Sequence, residues 1–238
     1  MSDFSNQVVL VTGATGSLGR IVAQAFLDAG AHLALPARSS DRLTGLFPDL
    51  DGSPDHLLLG DFNTTDSDSV SEIVQKIVDR FGRIDVLVST IGGYQAGTPV
   101  HETPLSTWDF MLNLNARSAF VLSQAVVPVM LEQGLGKIIH TSARAGLRGT
   151  ANSSAYSASK SAVINLVQSL SAEVKANGIN VNAVLPGTID TPANREAMPN
   201  GDASRWVQPQ ALADVYLFLA SDAACAIHGA AIPVYGLS

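Results

Sequence analysis

The chain reads as an α/β protein built on one doubly wound, mainly parallel sheet of about seven strands with helices on both faces. Three observations predict this. Short Leu-rich or β-branched runs recur along the chain, and helix-patterned stretches long enough to be crossovers separate them. The runs are also apolar throughout rather than alternating, as strands covered on both faces must be. Strands are expected at 8–12, 32–36, 56–59, 86–89, 137–141, 180–185 and 231–234, and helices at 19–29, 68–81, 106–133, 154–177 and 210–220. Gly30, Gly82, Gly134 and Gly178 stand where helices should stop. Pro128 should bend or shorten the third helix, because it removes a backbone donor. Segment 191–209 contains three prolines, a glycine and little periodicity, and is expected to form a substrate lid. No repeat or linker divides the sequence, so residues 1–238 are expected to form one domain.

Composition narrows the function. The net charge of −7 is spread without long runs of one sign, which argues against nucleic acid or an anionic membrane as partner. A small molecule is expected instead. Cys225 is the single cysteine and can form no internal disulfide; the N-terminal MSDFSNQVVLVTG lacks the pattern of a signal peptide, so a cytoplasmic protein is expected. No wholly apolar run approaches the roughly 20 residues that span a bilayer. The five histidines (His32, His56, His101, His140 and His228) have no metal-ligand spacing, and no metal is expected.

Directly after the first strand, Gly13, Thr15, Gly16, Ser17, Leu18 and Gly19 lie in a glycine-spaced turn that opens an Ala-rich helix. Such a turn lets the backbone approach a pyrophosphate, and the free N–H groups of the helix start attract the anion. The fold is therefore a Rossmann-type domain for a dinucleotide. At the end of the second strand there is no acid to bind a ribose 2′-hydroxyl, but there is Arg38, which suits a 2′-phosphate. NADP(H) is expected in preference to NAD(H). Asp61, followed by Phe62, closes the third strand and is placed to accept from the adenine amino group.

Further along, Tyr156 and Lys160 are four residues apart, which puts phenol and ammonium on one helical face. A nearby cation favours a phenolate and should bring the tyrosine from about 10 toward the working range. The ordered set of the glycine loop, Asp61, Trp108, Asn115, Tyr156/Lys160, Leu185-Pro186-Gly187-Thr188-Ile189-Asp190-Thr191 and the ending Leu217 to Gly229 resembles the short-chain dehydrogenase/reductase family over nearly the whole chain. The resemblance implies an NAD(P)H-dependent oxidoreductase. It also implies that Asn115 holds a water in a proton relay through Lys160. Pro186, Gly187, Ile189 and Thr191 would line the nicotinamide carboxamide, and Ile91, Gly92 and Gly93 would border the cofactor. Subunit packing through small residues of the tyrosine helix (Ala155, Ala158, Ser161, Ala162) would make a tetramer or a dimer.

Three departures shape the substrate reading. The family's catalytic serine position is Ala143, with Ser142 just before it; Ser17 stands where a middle glycine is usual; and Ser89-Thr90-Ile91-Gly92 replaces Asn-Asn-Ala-Gly. These features, together with Gly92-Gly93-Tyr94 and the lid residues 191–199, Asp202, Ser204 and Trp206, resemble the dihydropteridine reductase branch. Reducing a quinonoid dihydropterin restores a conjugated ring and asks less of an oxyanion-polarising hydroxyl, so alanine is tolerable there. The expected reaction is hydride transfer to a small conjugated cyclic or carbonyl substrate, with Tyr156 giving the proton. The alternatives are a ketone or aldehyde reductase using Ser142, and a dinucleotide sensor without catalysis. Arg144 and Arg148 follow the fifth strand and read as solvated loop charges rather than as a clamp for an acidic substrate, and Trp206 either covers the substrate or pins the lid.

Overall fold

A computed structural model describes residues 3–237. It contains a seven-stranded sheet of β1 (Val8–Thr12), β2 (His32–Pro36), β3 (Leu57–Leu59), β4 (Val86–Ser89), β5 (Gly136–Thr141), β6 (Ile179–Pro186) and β7 (Ala231–Val234). All neighbours are parallel, in the order β3-β2-β1-β4-β5-β6-β7. The order reverses between β1 and β4, and in open α/β sheets such a switch point sets the binding crevice at the carboxyl ends of the strands. Alternate residues of each strand supply two separate cores. Val9, Val11, Val88 and Ile139 face helices α1 (Ser17–Asp28) and α8 (Pro209–Ala220). On the opposite side, Leu10, Leu87, Ile138 and Val181 meet α3 (Ser67–Phe81), α5 (Ser118–Gln133) and α6 (Ser154–Val174).

The differences from expectation have local causes. A short helix α2 (Ser40–Leu46) follows β2, started by Ser39, whose hydroxyl accepts from the Arg42 N–H at 3.3 Å. Strand β3 begins after His56 because the ring of His56 accepts the Leu33 N–H at 3.1 Å, which turns that residue's side chain toward the ladder. The expected 106–133 helix comprises α4 (Leu105–Met111), a π-turn at 112–117 and α5. Pro128 does not shorten α5, which continues to Gln133. Run 105–133 is long and apolar enough in length and composition to cross a bilayer, but here its buried residues Val121, Leu122, Val126 and Met130 complete the second core. In segment 191–209 a seventh α-helix, α7 (Pro192–Ala197), is capped by Thr191.

Candidate active site

At the crevice, Gly13 turns the chain at φ +86°, and a Cβ there would lie 2.6 Å from Thr90 Oγ1. A Cβ on Gly19 would collide with the Gly13 carbonyl, so the loop and α1 approach as closely as backbone allows. Gly16 caps α1 without any side chain to satisfy the first N–H groups. The cradle therefore fits a pyrophosphate in shape and in its free donors. Thr15 and the exposed Gly16 and Ser17 form its rim, while Leu18 is buried beneath it.

Arg38 is exposed at the end of β2. A second arginine, which the sequence did not single out, follows on α2: Arg42 donates to the Thr15 carbonyl at 3.0 Å, so its guanidinium is held against the phosphate loop. The signal was the Ser39 cap, which starts a helix and points position 42 back toward α1. Asp61 adopts φ +55°, a left-handed conformation that a residue with a Cβ rarely takes. Phe62, 3% exposed, anchors it through its N–H to the Ala37 carbonyl at 3.1 Å.

Behind the cradle, β4 ends in a turn built around Asn115. The Asn115 side chain is 2% exposed; Oδ1 accepts from the Gly93 N–H at 3.0 Å, and Nδ2 donates to the Gly93 carbonyl at 3.2 Å and to Ser159 Oγ at 2.9 Å. It thus fastens the Ile91-Gly92-Gly93 turn to α6, and its side-chain atoms are all engaged. Glycine at 92 leaves room for the pair behind it: a Cβ would stand 2.7 Å from Lys160 Nζ and 2.9 Å from Asn115 Oδ1, and would displace one of them. Lys160 is 4% exposed, with Nζ donating to the Thr141 carbonyl at 3.0 Å. Burial pushes its ammonium down to about 8.

Tyr156 lies one helical turn earlier. Its ring meets that of Tyr94 edge to face, centroids 4.8 Å apart and planes at 82°, while Tyr94 itself is 71% exposed. Burial first, and Tyr94 second, push the Tyr156 phenol up to about 12. The expected lowering by Lys160 is absent from the chain on its own, because desolvation opposes the phenolate and Nζ is directed at Thr141. Ser142 is buried and its hydroxyl donates to the Lys160 carbonyl at 2.7 Å; neighbouring Ala143 is extended and 8% exposed.

At the end of β6 Pro186 is buried; beyond it Gly187 donates to the Val234 carbonyl at 2.9 Å and Ile189 bridges to Val207. Arg195 reaches back to Asp190 through two bonds of 2.6 and 2.9 Å, which holds the Asp190 carboxyl down at about 2. Trp206 is 9% exposed; its ring packs over Gly201 within segment 191–209, and its backbone lies against Gly236 near the end of the chain. Arg144 lies over the Tyr235 ring at 5.0 Å. Among the described residues no group of three or more acidic, histidine or cysteine side chains could hold a metal.

Fold, glycine cradle and the Tyr156/Lys160 turn together define a dinucleotide-dependent oxidoreductase. The short chain dehydrogenase family model matches residues 7–201, and the chain belongs to that family. It is 33% identical over 238 residues to the 3-oxoacyl-[acyl-carrier-protein] reductase FabG of Thermotoga maritima, covering 97% of this chain and 96% of that one. Among solved structures, levodione reductase superposes with a TM-score of 0.88 at 31% identity, covering 98% of this chain and 97% of that one. ElxO with NADP bound gives 0.88 at 27% identity, with 97% of each chain covered. The family binds NAD(P) and acts on small molecules, and the expectation of an oxidoreductase stands.

Proposed function

We propose that the chain transfers hydride from NADPH, in preference to NADH, to a small conjugated cyclic or carbonyl substrate, with Tyr156 as proton donor. The observation that carries this reading is the buried Lys160 ammonium, wedged against Gly92 and Asn115 one helical turn from Tyr156. Hydride comes from the nicotinamide when the dinucleotide is bound. Gly13, Thr15, Gly16, Ser17, Leu18 and Gly19 hold its pyrophosphate, Asp61 and Phe62 the adenine, and Pro186, Gly187, Ile189 and Thr191 the carboxamide end. Arg38 and Arg42 together supply two cations for a 2′-phosphate, which is the reason for preferring NADPH; ElxO, a relative in fold and family, is seen with NADP.

At neutral pH a phenol held near 12 is protonated, the state a donor needs, and an ammonium near 8 is largely charged. Lys160 stabilises the charge that develops on Tyr156 as the proton leaves. Asn115 holds the β4 turn against α6 so that the pair keeps its place, and it is the residue assigned to the relay water. Segment 191–209 serves as the lid, with Asp190–Arg195 as its hinge clasp and the Trp206 ring packed within it on Gly201. Copies of the chain associate as a dimer or tetramer, a reading supported by the small residues of α6 and by exposed Phe110, Phe120 and Leu131 on α4 and α5.

Oxidation of NADPH and NADH is to be followed with a quinonoid dihydropterin and with cyclic diketones, open-chain ketones and quinones. Turnover of a conjugated ring by wild type and by Ser142→Ala supports the reading, since the Ser142 hydroxyl is spent on the Lys160 carbonyl. Turnover of ketones alone, lost in Ser142→Ala, favours the ketone reductase. Tight NADP(H) binding with no turnover on any substrate overturns the enzyme reading in favour of a sensor.

A further inference from the structure

Below the Tyr156/Lys160 turn, the sheet face shared by α5 and α6 carries polar side chains in an otherwise aliphatic core. Thr12, Ser89 and His140 stand side by side across β1, β4 and β5, paired Thr12 to Ser89 and Ser89 to His140. Each follows an aliphatic residue of the second core by two positions (Leu10, Leu87 and Ile138), so all three point to the face on which Ile164 and Val167 of α6 pack. They are 0%, 3% and 1% exposed, respectively.

Two buried polar atoms in this row lack a hydrogen-bond partner among the described residues, Thr12 Oγ1 and His140 Nδ1. An orphan of this kind costs about 1–3 kcal/mol, and native cores rarely leave one unmade. The state of His140 follows from its neighbours. Ser123 Oγ donates to the Ala119 carbonyl at 2.9 Å, so at 2.8 Å from His140 Nε2 it is the acceptor and Nε2 carries the proton. Nδ1 is then a bare lone pair. Burial, with Lys160 as the second cause, pushes the imidazole down to about 4 and keeps it neutral.

We propose that Thr12, Ser89 and His140 hold a buried water molecule behind Lys160, and that this water stabilises the lysine's ammonium. The Thr12 hydroxyl donates to the water oxygen, the water donates to His140 Nδ1, and Ser89 is the third partner, which makes the about three bonds usual for an internal water. Lys160 itself faces Asn115 and Gly92 from the α5 side, the Thr141 carbonyl of β5, and His140 beside it; Tyr156 precedes it by a turn on α6. None of these except the Thr141 carbonyl offers the ammonium a firm acceptor, and the water's oxygen supplies a second dipole in a region otherwise without solvent.

The role for Lys160 rests on the function proposed above, so the tests use no turnover. A high-resolution crystal structure of the wild type and of Thr12→Val, which keeps the shape but removes the hydroxyl, reads the water directly. NMR titration of the Lys160 side-chain nitrogen reads its effect, and Ser89→Ala serves as the second variant should Thr12→Val not fold. The expected result is water density in hydrogen-bonding reach of His140 Nδ1 in the wild type. In the variant the density is lost, and the Lys160 midpoint falls by about half a unit or more. A wild type with no density there overturns the site. Density lost without any movement of Lys160 overturns the link to the lysine.

Discussion

Replacing Lys160 with Met should make the protein more stable and catalytically dead. In the folded chain the ammonium is held at about 8 against an ordinary 10.5, a gap of about 2.5 units. At about 1.36 kcal/mol per unit, keeping this charge buried costs the native state about 3 kcal/mol. Methionine fills a similar volume without a charge, but leaves the Thr141 carbonyl without its donor, which returns about 1 kcal/mol. The net gain is about 2 kcal/mol at pH 7, or about 4–8 °C in Tm for a chain of this size. The sign fixes the pH window. Between about 8 and 10.5 the unfolded lysine binds the proton and the folded one does not, so wild-type stability rises with pH over that interval. The advantage of Lys160→Met is therefore full below pH 8 and shrinks as pH approaches 10.5. Scanning calorimetry of both proteins at pH 7 and pH 10 measures it. A variant that is less stable at pH 7, or an advantage that does not change with pH, would refute the claim that this lysine is held charged at a cost.

Acid should weaken the protein through His140. The unfolded imidazole takes its proton near 6.5 and the folded one near 4, so stability falls as pH drops across that range, and His140→Asn should flatten a denaturation profile measured there. Tyr156→Phe should lower kcat by about 10²–10⁴ while NADPH affinity by fluorescence titration stays within about twofold. Arg42→Ala and Arg38→Ala should each lower the ratio of NADPH to NADH affinity by about tenfold or more, while NADH affinity is nearly unmoved. Gly19→Ala should abolish binding of both dinucleotides, because its Cβ and the Gly13 carbonyl cannot share the space; binding that persists would show that the loop can open.

The strands were legible because each is apolar on both faces, a signal that survives without partners. Boundaries failed where a side chain took over backbone duty, as the His56 ring does for Leu33. Helix α2 was missed because seven residues containing Gly45 carry too little periodicity, and with it went Arg42. Tyr156, Lys160 and the glycine loop were singled out by their spacing, and the structure brings them to the same end of the sheet. What spacing cannot convey is the depth of burial, so the direction of the Tyr156 shift came out opposite to expectation, and the hydroxyl of Ser142 proved to be engaged elsewhere.

The π-turn at 112–117 changes what can be asked of one continuous helix. By inserting a residue per turn it shifts the angular phase by about 100°, so the half before it and the half after it show different sides to the same neighbour. Asn115 thereby looks toward the β4 turn and α6, while Val121, Leu122 and Val126 look toward the sheet. Deleting one residue from this turn would restore a regular ladder with the two halves left in phase, and would take away the extra position from which Asn115 reaches the β4 turn. Insertions and deletions here are thus far more consequential than substitutions, and the length of this segment, rather than its composition, is what the site depends on.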